Sequence, residues 1–180
     1  MKSFMITTCA FIFIIGCNNP AATKEGAGET PASTEKIDHA YLPEDHPADF
    51  WDRGDQKNAA LVLKALKAFE SGNIEEALAP FADSVTWRFD NFDAKISKDS
   101  MRSMFKDAWK NMNAMKVIMN DFESVISKDK KEEYVTLWYK QIMTDKTGKV
   151  DSVAYVDDLK IENGKITVLD EKTRKFPVKK

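Results

Sequence analysis

Cysteine and histidine are rare in this sequence of 180 residues, which contains two of each. Both cysteines, Cys9 and Cys17, lie near the start of the chain, and both histidines, His39 and His46, precede residue 51. Residues 51–180 therefore have no side chain for a disulfide, for a cysteine or histidine metal site, or for a histidine base. Ser-His-Asp catalysis is excluded in that segment for the same reason.

Glycine-rich phosphate loops and clusters of metal ligands are also missing from the sequence. We therefore expect no cofactor and no metal ion. The 27 basic and 29 acidic residues give a net charge of −2. Since no block of basic residues stands out against this balance, we expect no nucleic acid partner.

Long apolar runs are absent as well. The most hydrophobic stretch, Phe4–Ile15, has 12 residues, whereas a membrane-spanning helix needs about 20. Lys2 precedes it, and a short apolar run behind a basic residue is typical of an export signal. The run ends in Ile14-Ile15-Gly16-Cys17, which resembles the lipobox of bacterial lipoproteins. The resemblance implies that residues 1–16 are a lipoprotein signal peptide and that Cys17 is lipidated, which would anchor the protein in the bacterial cell envelope. Because no acidic run directly follows Cys17 to favour display on the outer surface, we expect the periplasmic side.

The segment behind the lipobox is acidic and poor in apolar residues. Asn18–Gln56 contains three basic and nine acidic residues, whereas Lys57–Lys180 contains 23 basic and 20 acidic ones. A segment rich in Ala, Thr, Gly, Pro and Glu buries too little apolar surface to offset the entropy of ordering. We predict a disordered acidic tether over residues 17–50 and a folded domain over residues 51–180.

Cap residues and the spacing of apolar residues predict three helices in the first half of this domain. Asp55 is a suitable N-cap for the first helix, which Ser71-Gly72 ends. Asn73, with Glu76 three residues later, caps the second. Ser97 caps the third, whose apolar stripe at helical spacing indicates a side that faces the core. The stripe comprises Met101, Met104, Phe105, Ala108, Trp109 and Met112.

Alternating apolar residues predict one short strand, Val85–Phe89, and four longer strands after the third helix. The four are expected near Met115–Ser127, Glu133–Met143, Val150–Ile161 and Lys165–Thr173. Asn163-Gly164 between the last two is a strong hairpin signal. We predict that the last three strands form an antiparallel meander.

The strand at Glu133–Met143 carries bulky residues on both faces. Tyr134 and Trp138 belong to one alternating set, and Leu137 and Tyr139 belong to the other. Helices cover only one face of such a sheet, so bulky residues on the opposite face suggest a second partner surface. We expect a homodimer through that face.

Three segments accompany this order of helices and strands, namely Gly72–Leu78, Phe81–Trp87 and Asp157–Ile166. Together they resemble the NTF2-like superfamily, in its SnoaL-like and ketosteroid-isomerase-like branch, over roughly residues 57–175. The resemblance implies an α+β fold in which three helices of the N-terminal half pack on a curved, mostly antiparallel sheet. The result is a cone with a pocket at its open end. The superfamily holds isomerases, cyclases, dehydratases, ligand binders and assembly modules, so it implies the fold more narrowly than the function.

The resemblance also points to individual residues. Ketosteroid isomerases use an aspartate on the penultimate strand, and that position falls on Asp157. Alternation independently places Asp157 on the more apolar face of its strand, where desolvation should raise the pKa of the carboxyl. The position of their base falls on Phe89, one residue before Asp90, and the position of their helical tyrosine falls on Ala65. These departures argue against a ketosteroid isomerase itself. The candidate catalytic residues are Asp157 and Asp90, and the candidate ligand-binding residues are Trp87, Trp138, Tyr155 and Asp157.

We interpret the chain as a membrane-tethered domain that binds a small hydrophobic or amphipathic molecule in an aromatic-lined pocket without converting it. Two alternatives stay open. One is a metal-independent isomerase, cyclase or dehydratase that uses Asp90 and Asp157. The other is a dimerisation or assembly module whose pocket is filled by side chains.

Overall fold

The structure is a computed structural model that describes Tyr41 and residues 49–176. The predicted signal peptide and Cys17 lie outside these residues, as does most of the predicted tether. Within the described ranges, no helix combines the length and the hydropathy that a membrane span requires.

Three helices and seven strands make up the described residues. The helices are α1 (Gln56–Glu70), α2 (Ile74–Leu78) and α3 (Lys98–Lys110). The strands are β1 (Trp51–Arg53), β2 (Phe81–Phe89), β3 (Phe92–Ser97), β4 (Met112–Ser127), β5 (Glu133–Asp145), β6 (Val150–Glu162) and β7 (Lys165–Lys175).

All seven strands belong to one sheet, in the order β1-β4-β5-β6-β7-β2-β3. Neighbouring strands are antiparallel except β2 and β7, which run parallel. The predicted meander of the last three strands is present as β5-β6-β7. The α+β class and the mostly antiparallel sheet predicted from the sequence are therefore confirmed.

All three helices begin at the N-cap residues that the sequence predicts. An Asp55 carboxylate oxygen accepts from the Lys57 amide at 2.8 Å. The Asn73 side chain accepts from the Glu76 amide at 3.3 Å. The Ser97 hydroxyl oxygen accepts from the Ser100 amide at 3.1 Å. Each cap satisfies an amide that has no partner inside its helix.

Two short strands, β1 and β3, are not predicted from the sequence. β3 follows the two-residue turn Asp90-Asn91, across which Phe89 pairs with Phe92. Asp90 has a φ of 52°, a left-handed conformation that aspartate and asparagine tolerate better than most residues. β3 alternates partly buried and exposed residues over only six positions at the edge of the sheet, and so short a pattern is a weak signal.

The helices and one face of the sheet enclose a common apolar core. Its most deeply buried large side chains are Val62, Leu78, Val85, Met101, Val135, Leu137 and Ile166. Along β5, Leu137 and Tyr139 are buried on this face, whereas Tyr134 and Trp138 alternate with them and are partly exposed. The two alternating sets predicted for this strand therefore lie on opposite faces of the sheet.

Candidate functional site

A cavity of about 530 Å³ lies between the helices and the sheet. Leu66 and Phe69 of α1 line it on one side, and Leu137, Leu159 and Leu169 line it from three neighbouring strands. The wall is mainly apolar and aromatic, which is typical of sites for small molecules.

Helix α3 contributes to this wall as well as to the filled core. Of its predicted core stripe, Met101 is completely buried, whereas Met104 is 40% exposed. Met104, Phe105 and Ala108 line the cavity, and so does Met112 at the start of β4. The stripe predicted to face the core is therefore divided between the core and the cavity wall, because helical spacing shows which side faces inward and leaves open whether that space is filled.

Asp157 is the most deeply buried charged side chain of the cavity wall, with 4% of its surface exposed. The Tyr139 hydroxyl donates a hydrogen bond to Asp157 Oδ2 at 2.7 Å. The other carboxyl oxygen, Oδ1, is buried and has no hydrogen-bond partner among the described residues. Asp157 therefore retains one free polar atom in a mainly apolar cavity wall.

Burial raises the pKa of the Asp157 carboxyl well above its ordinary value of 3.8, and the neighbouring Glu171 carboxyl raises it further. The hydrogen bond from Tyr139 acts in the opposite direction. The direction agrees with the sequence prediction. Burial, reinforced by the charge of Asp157, also raises the pKa of the Tyr139 hydroxyl, which therefore stays protonated and able to donate.

Glu171 is a second carboxyl in the cavity wall, and the sequence analysis does not identify it. It lies directly opposite Asp157 in the β6–β7 pairing. The Trp87 indole Nε1 donates to Glu171 Oε2 at 2.5 Å. Burial raises the pKa of the Glu171 carboxyl from 4.5 to about 7, although the hydrogen bond from Trp87 lowers it.

A β-bulge brings Glu171 to this position. Near the Asn163-Gly164 turn, Ile161 pairs with Ile166, but the next pair is Lys160 with Val168, so Thr167 is an extra residue in β7. After one extra residue, every following side chain of the strand points to the opposite face of the sheet from the one that strict alternation would give. Strict alternation from the buried Ile166 would turn Glu171 away from the cavity, and the bulge turns it inward.

The other predicted site residues are divided between the cavity and the surface. Trp87 and Tyr155 line the cavity, and the Tyr155 ring stacks on Tyr139 with a centroid separation of 5.1 Å. Trp138 does not line it, because it alternates with Leu137 and Tyr139 and lies on the opposite sheet face. The placement of Trp138 in the pocket is therefore wrong.

Asp90 also lies away from the cavity. It is exposed in the turn between β2 and β3, whereas the preceding residue, Phe89, lines the cavity. The expectation of a base at Asp90 is wrong because Asp90 follows the inward-facing Phe89 by one residue and lies in the turn, where its side chain is exposed. Ala65, at the position of the family's helical tyrosine, does line the cavity. Among the described residues, no group of three or more His, Cys, Asp or Glu side chains is arranged to hold a metal ion.

Solved structures show what this fold is similar to. An NTF2-like protein of unknown function from Burkholderia pseudomallei has a TM-score of 0.55 and 15% identity, covering 65% of this chain and 90% of that chain. AusH from Aspergillus nidulans has a TM-score of 0.56 and 17% identity, covering 68% and 87% of the two chains. An LEH-like epoxide hydrolase of M. tuberculosis has a TM-score of 0.54 and 11% identity, covering 66% and 84%. At these identities the likeness concerns the fold, which is an NTF2-like α+β fold with a curved sheet.

The SnoaL-like domain family matches residues 62–169. This range extends from the middle of α1 into β7 and includes most of the cavity wall. The chain therefore belongs to the SnoaL-like domain family. No curated protein matches it.

Proposed function

We propose that this domain binds one small hydrophobic or amphipathic molecule in its cavity. The observation that carries the proposal is an apolar cavity of about 530 Å³ with one buried carboxyl oxygen, Asp157 Oδ1, that lacks a partner in the described part of the chain. Ligand cavities typically measure about 300–1,000 Å³ and combine apolar walls with a few convergent polar groups. A cavity of this size also argues against an assembly module filled by side chains.

Titration of the full chain with Nile red, a neutral dye whose emission shifts in apolar surroundings, tests this proposal. We expect saturable binding of one dye molecule per chain, and displacement of the dye by 1-decanol. Dye emission that rises without saturation, or that decanol leaves unchanged, would contradict a defined site and favour the assembly module.

A second candidate function is acid–base catalysis without a metal, of the isomerase, cyclase or dehydratase type. The observation in its favour is the pair Asp157 and Glu171, two carboxyls on adjacent strands whose pKa values are both raised by burial. Glu171 takes the role that the sequence analysis gives to Asp90. Deuterium exchange beside the carbonyl of 2-decanone in D2O, followed by NMR, separates the candidates: a catalyst accelerates the exchange and loses this effect in Glu171→Gln, and a binder does neither.

We propose further that Cys17 is lipidated and that the domain is held at the membrane of the cell envelope on the periplasmic side. The sequence Ile14-Ile15-Gly16-Cys17 behind the signal-like segment supports this. Each buried CH₂ of an acyl chain contributes about 0.8 kcal/mol to membrane binding. Cys17→Ser should therefore block lipid attachment and normal processing, which fractionation and mass spectrometry of the mature N-terminus measure. A Cys17→Ser protein that is processed normally and stays with the membrane would contradict the proposal.

We also propose that the protein is a homodimer through the sheet face that lies away from the helices. Tyr134 and Trp138 are partly exposed there, and Ile118, which pairs with Lys140 of β5, is 41% exposed. Apolar groups of this size on an open sheet face are typical of an interface. A chain starting at Pro47 should sediment as a dimer at micromolar concentration, and Ile118→Glu should shift it to monomer. A monomer at all concentrations would remove this proposal.

A further inference from the structure

The charges in the cavity wall are of one sign. Its two carboxyls are Asp157 and Glu171, and no Lys, Arg or His side chain of the described residues lines the cavity. The residues of α1, α2 and α3 that line the cavity are all apolar. A carboxylate in such a place requires a proton or a cation beside it, because an isolated buried charge is strongly unfavourable.

The protein's own hydrogen-bond donors satisfy this pair only in part. Tyr139 donates to Asp157 Oδ2 and Trp87 donates to Glu171 Oε2. Asp157 Oδ1 remains without a partner in the described part of the chain. The nearest cation along the strands, Lys172, lies on the opposite sheet face, where it contacts Asp158 at 2.9 Å and Asp170 at 3.2 Å.

We infer that the preferred ligand is a lipophilic amine, whose protonated head lies between Asp157 and Glu171 and whose apolar body fills the cavity. This inference rests on the proposed binding function and specifies the chemical class of the ligand. An ammonium group donates to carboxylate oxygens through charge-assisted hydrogen bonds, which are the stronger kind. The aromatic side chains of Tyr139, Tyr155 and Trp87 line the same cavity, and aromatic rings attract a cation further.

Other head groups fit this wall less well. A ligand carboxylate would add a third negative group to a pair of carboxyls that already repel each other. A ligand carbonyl needs a donor, and both Tyr139 and Trp87 already donate to the carboxyls. Beside the carboxyl pair, a carbonyl would therefore depend on a proton held by Asp157 or Glu171, and elsewhere in the wall it could meet the Gln141 amide or the Tyr155 hydroxyl. An ammonium group therefore binds best when the carboxyl pair has released a proton, whereas a carbonyl beside the pair binds best when the pair holds one.

Because the amine needs a deprotonated carboxyl, its affinity should depend on pH. The titratable and charged groups that act on the pair are Tyr139 from β5, Tyr155 and Asp158 from β6, and Lys172 from β7. As the pH rises from 5.5 to 8, Glu171 releases its proton while a primary alkylamine stays protonated. The affinity for the amine should rise over this range, and the affinity for an uncharged ligand of the same length should not.

The test compares 1-decylamine, 1-decanol and decanoate as competitors of Nile red on the full chain, each below its micelle concentration. At pH 8 we expect decylamine to displace the dye at a concentration at least about tenfold lower than decanol, which corresponds to about 1.4 kcal/mol. At pH 5.5 this preference should shrink to threefold or less. Decanoate should be the weakest of the three at pH 8.

Matched variants assign the effect to the carboxyl pair. Glu171→Gln and Asp157→Asn keep the side-chain shape, and each should remove most of the preference for the amine while decanol still competes. Asp170→Asn is the control, because Asp170 precedes Glu171 and does not line the cavity. It should retain the full preference. The pH series on the unmodified chain needs no variant and stands even if one of them fails to fold.

The outcomes separate this inference from the proposed function. Equal competition by decylamine and decanol at pH 8, or stronger competition by decanoate, overturns the inference and leaves the binding function intact. An amine preference that survives in both Glu171→Gln and Asp157→Asn also overturns it. Failure of all three competitors, together with unsaturable Nile red binding, contradicts the proposed function itself.

Discussion

Glu171→Gln should stabilise the folded protein at pH 8 by about 2 to 3 kcal/mol and leave its stability nearly unchanged at pH 4. The pKa of the Glu171 carboxyl is about 7 in the folded chain, compared with an ordinary value of 4.5. Between these two values the unfolded chain has released the proton and the folded chain still holds it. Stability therefore falls as the pH rises through this interval, and the loss is complete above pH 7. Glutamine does not titrate, so the variant avoids the loss.

Urea denaturation of both proteins across the pH range measures this effect directly. In Glu171→Gln the glutamine side chain retains an oxygen that can accept the hydrogen bond from Trp87, so the local packing needs little change. Glu123→Gln, at an exposed carboxyl of β4, is the control for the loss of one negative charge, and its unfolding free energy at pH 8 should stay within about 0.5 kcal/mol of that of the unmodified chain. Parallel profiles for the unmodified chain and Glu171→Gln would show that the Glu171 carboxyl titrates as it does in water.

Ala65→Trp should weaken Nile red binding more than about 30-fold, or by roughly 2 kcal/mol. Ala65 lies on α1 with 7% of its surface exposed, and it lines the cavity. An indole at this position would occupy space that the ligand otherwise fills. Because the side chain enters an existing cavity, the cost of overpacking should be smaller than in a filled core.

Fluorescence titration of the two matched variants Ala65→Trp and Ala60→Trp checks this prediction. Ala60 lies on the same helix and is exposed, so a tryptophan there should leave the dye affinity unchanged. Comparable affinities for both variants would mean that the dye binds outside the cavity. A loss of binding in Ala60→Trp as well would indicate damage to α1 and not occupation of the cavity.

Features that depend on neighbours in the chain could be predicted from the sequence. The caps at Asp55, Asn73 and Ser97 act over two or three residues, and their geometry follows from the identity of the cap residue. The turn at Asn163-Gly164 is also local, since both residues adopt positive φ values. Asp157 could be placed on the inner face of β6 because that strand keeps its alternation, with Val153, Asp157 and Leu159 all buried.

Two residues that the sequence predicts in the site lie outside the cavity, because the sequence did not determine their positions on the strands to within one residue. Trp138 and Asp90 have side chains suited to a ligand site, but Trp138 points to the other sheet face and Asp90 lies in a turn. Successive side chains of a strand face opposite sides of the sheet, so a residue one position away from a cavity-lining residue faces away from the cavity. Residue type alone does not resolve a position to that precision.

Local spacing along the chain predicted the three helices, five of the seven described strands and the inward position of Asp157, and three sequence segments carried the resemblance to the family. Contacts between distant elements were needed to show that α3 lines an open cavity, and that the carboxyl opposite Asp157 is Glu171. The first depends on how far the helix stands from the sheet. The second depends on the extra residue Thr167 in β7, whose effect exists only in the pairing with β6. Distances between elements and registers between strands arise from contacts that are remote in the chain, and for this reason the carboxyl pair became visible only in the folded molecule.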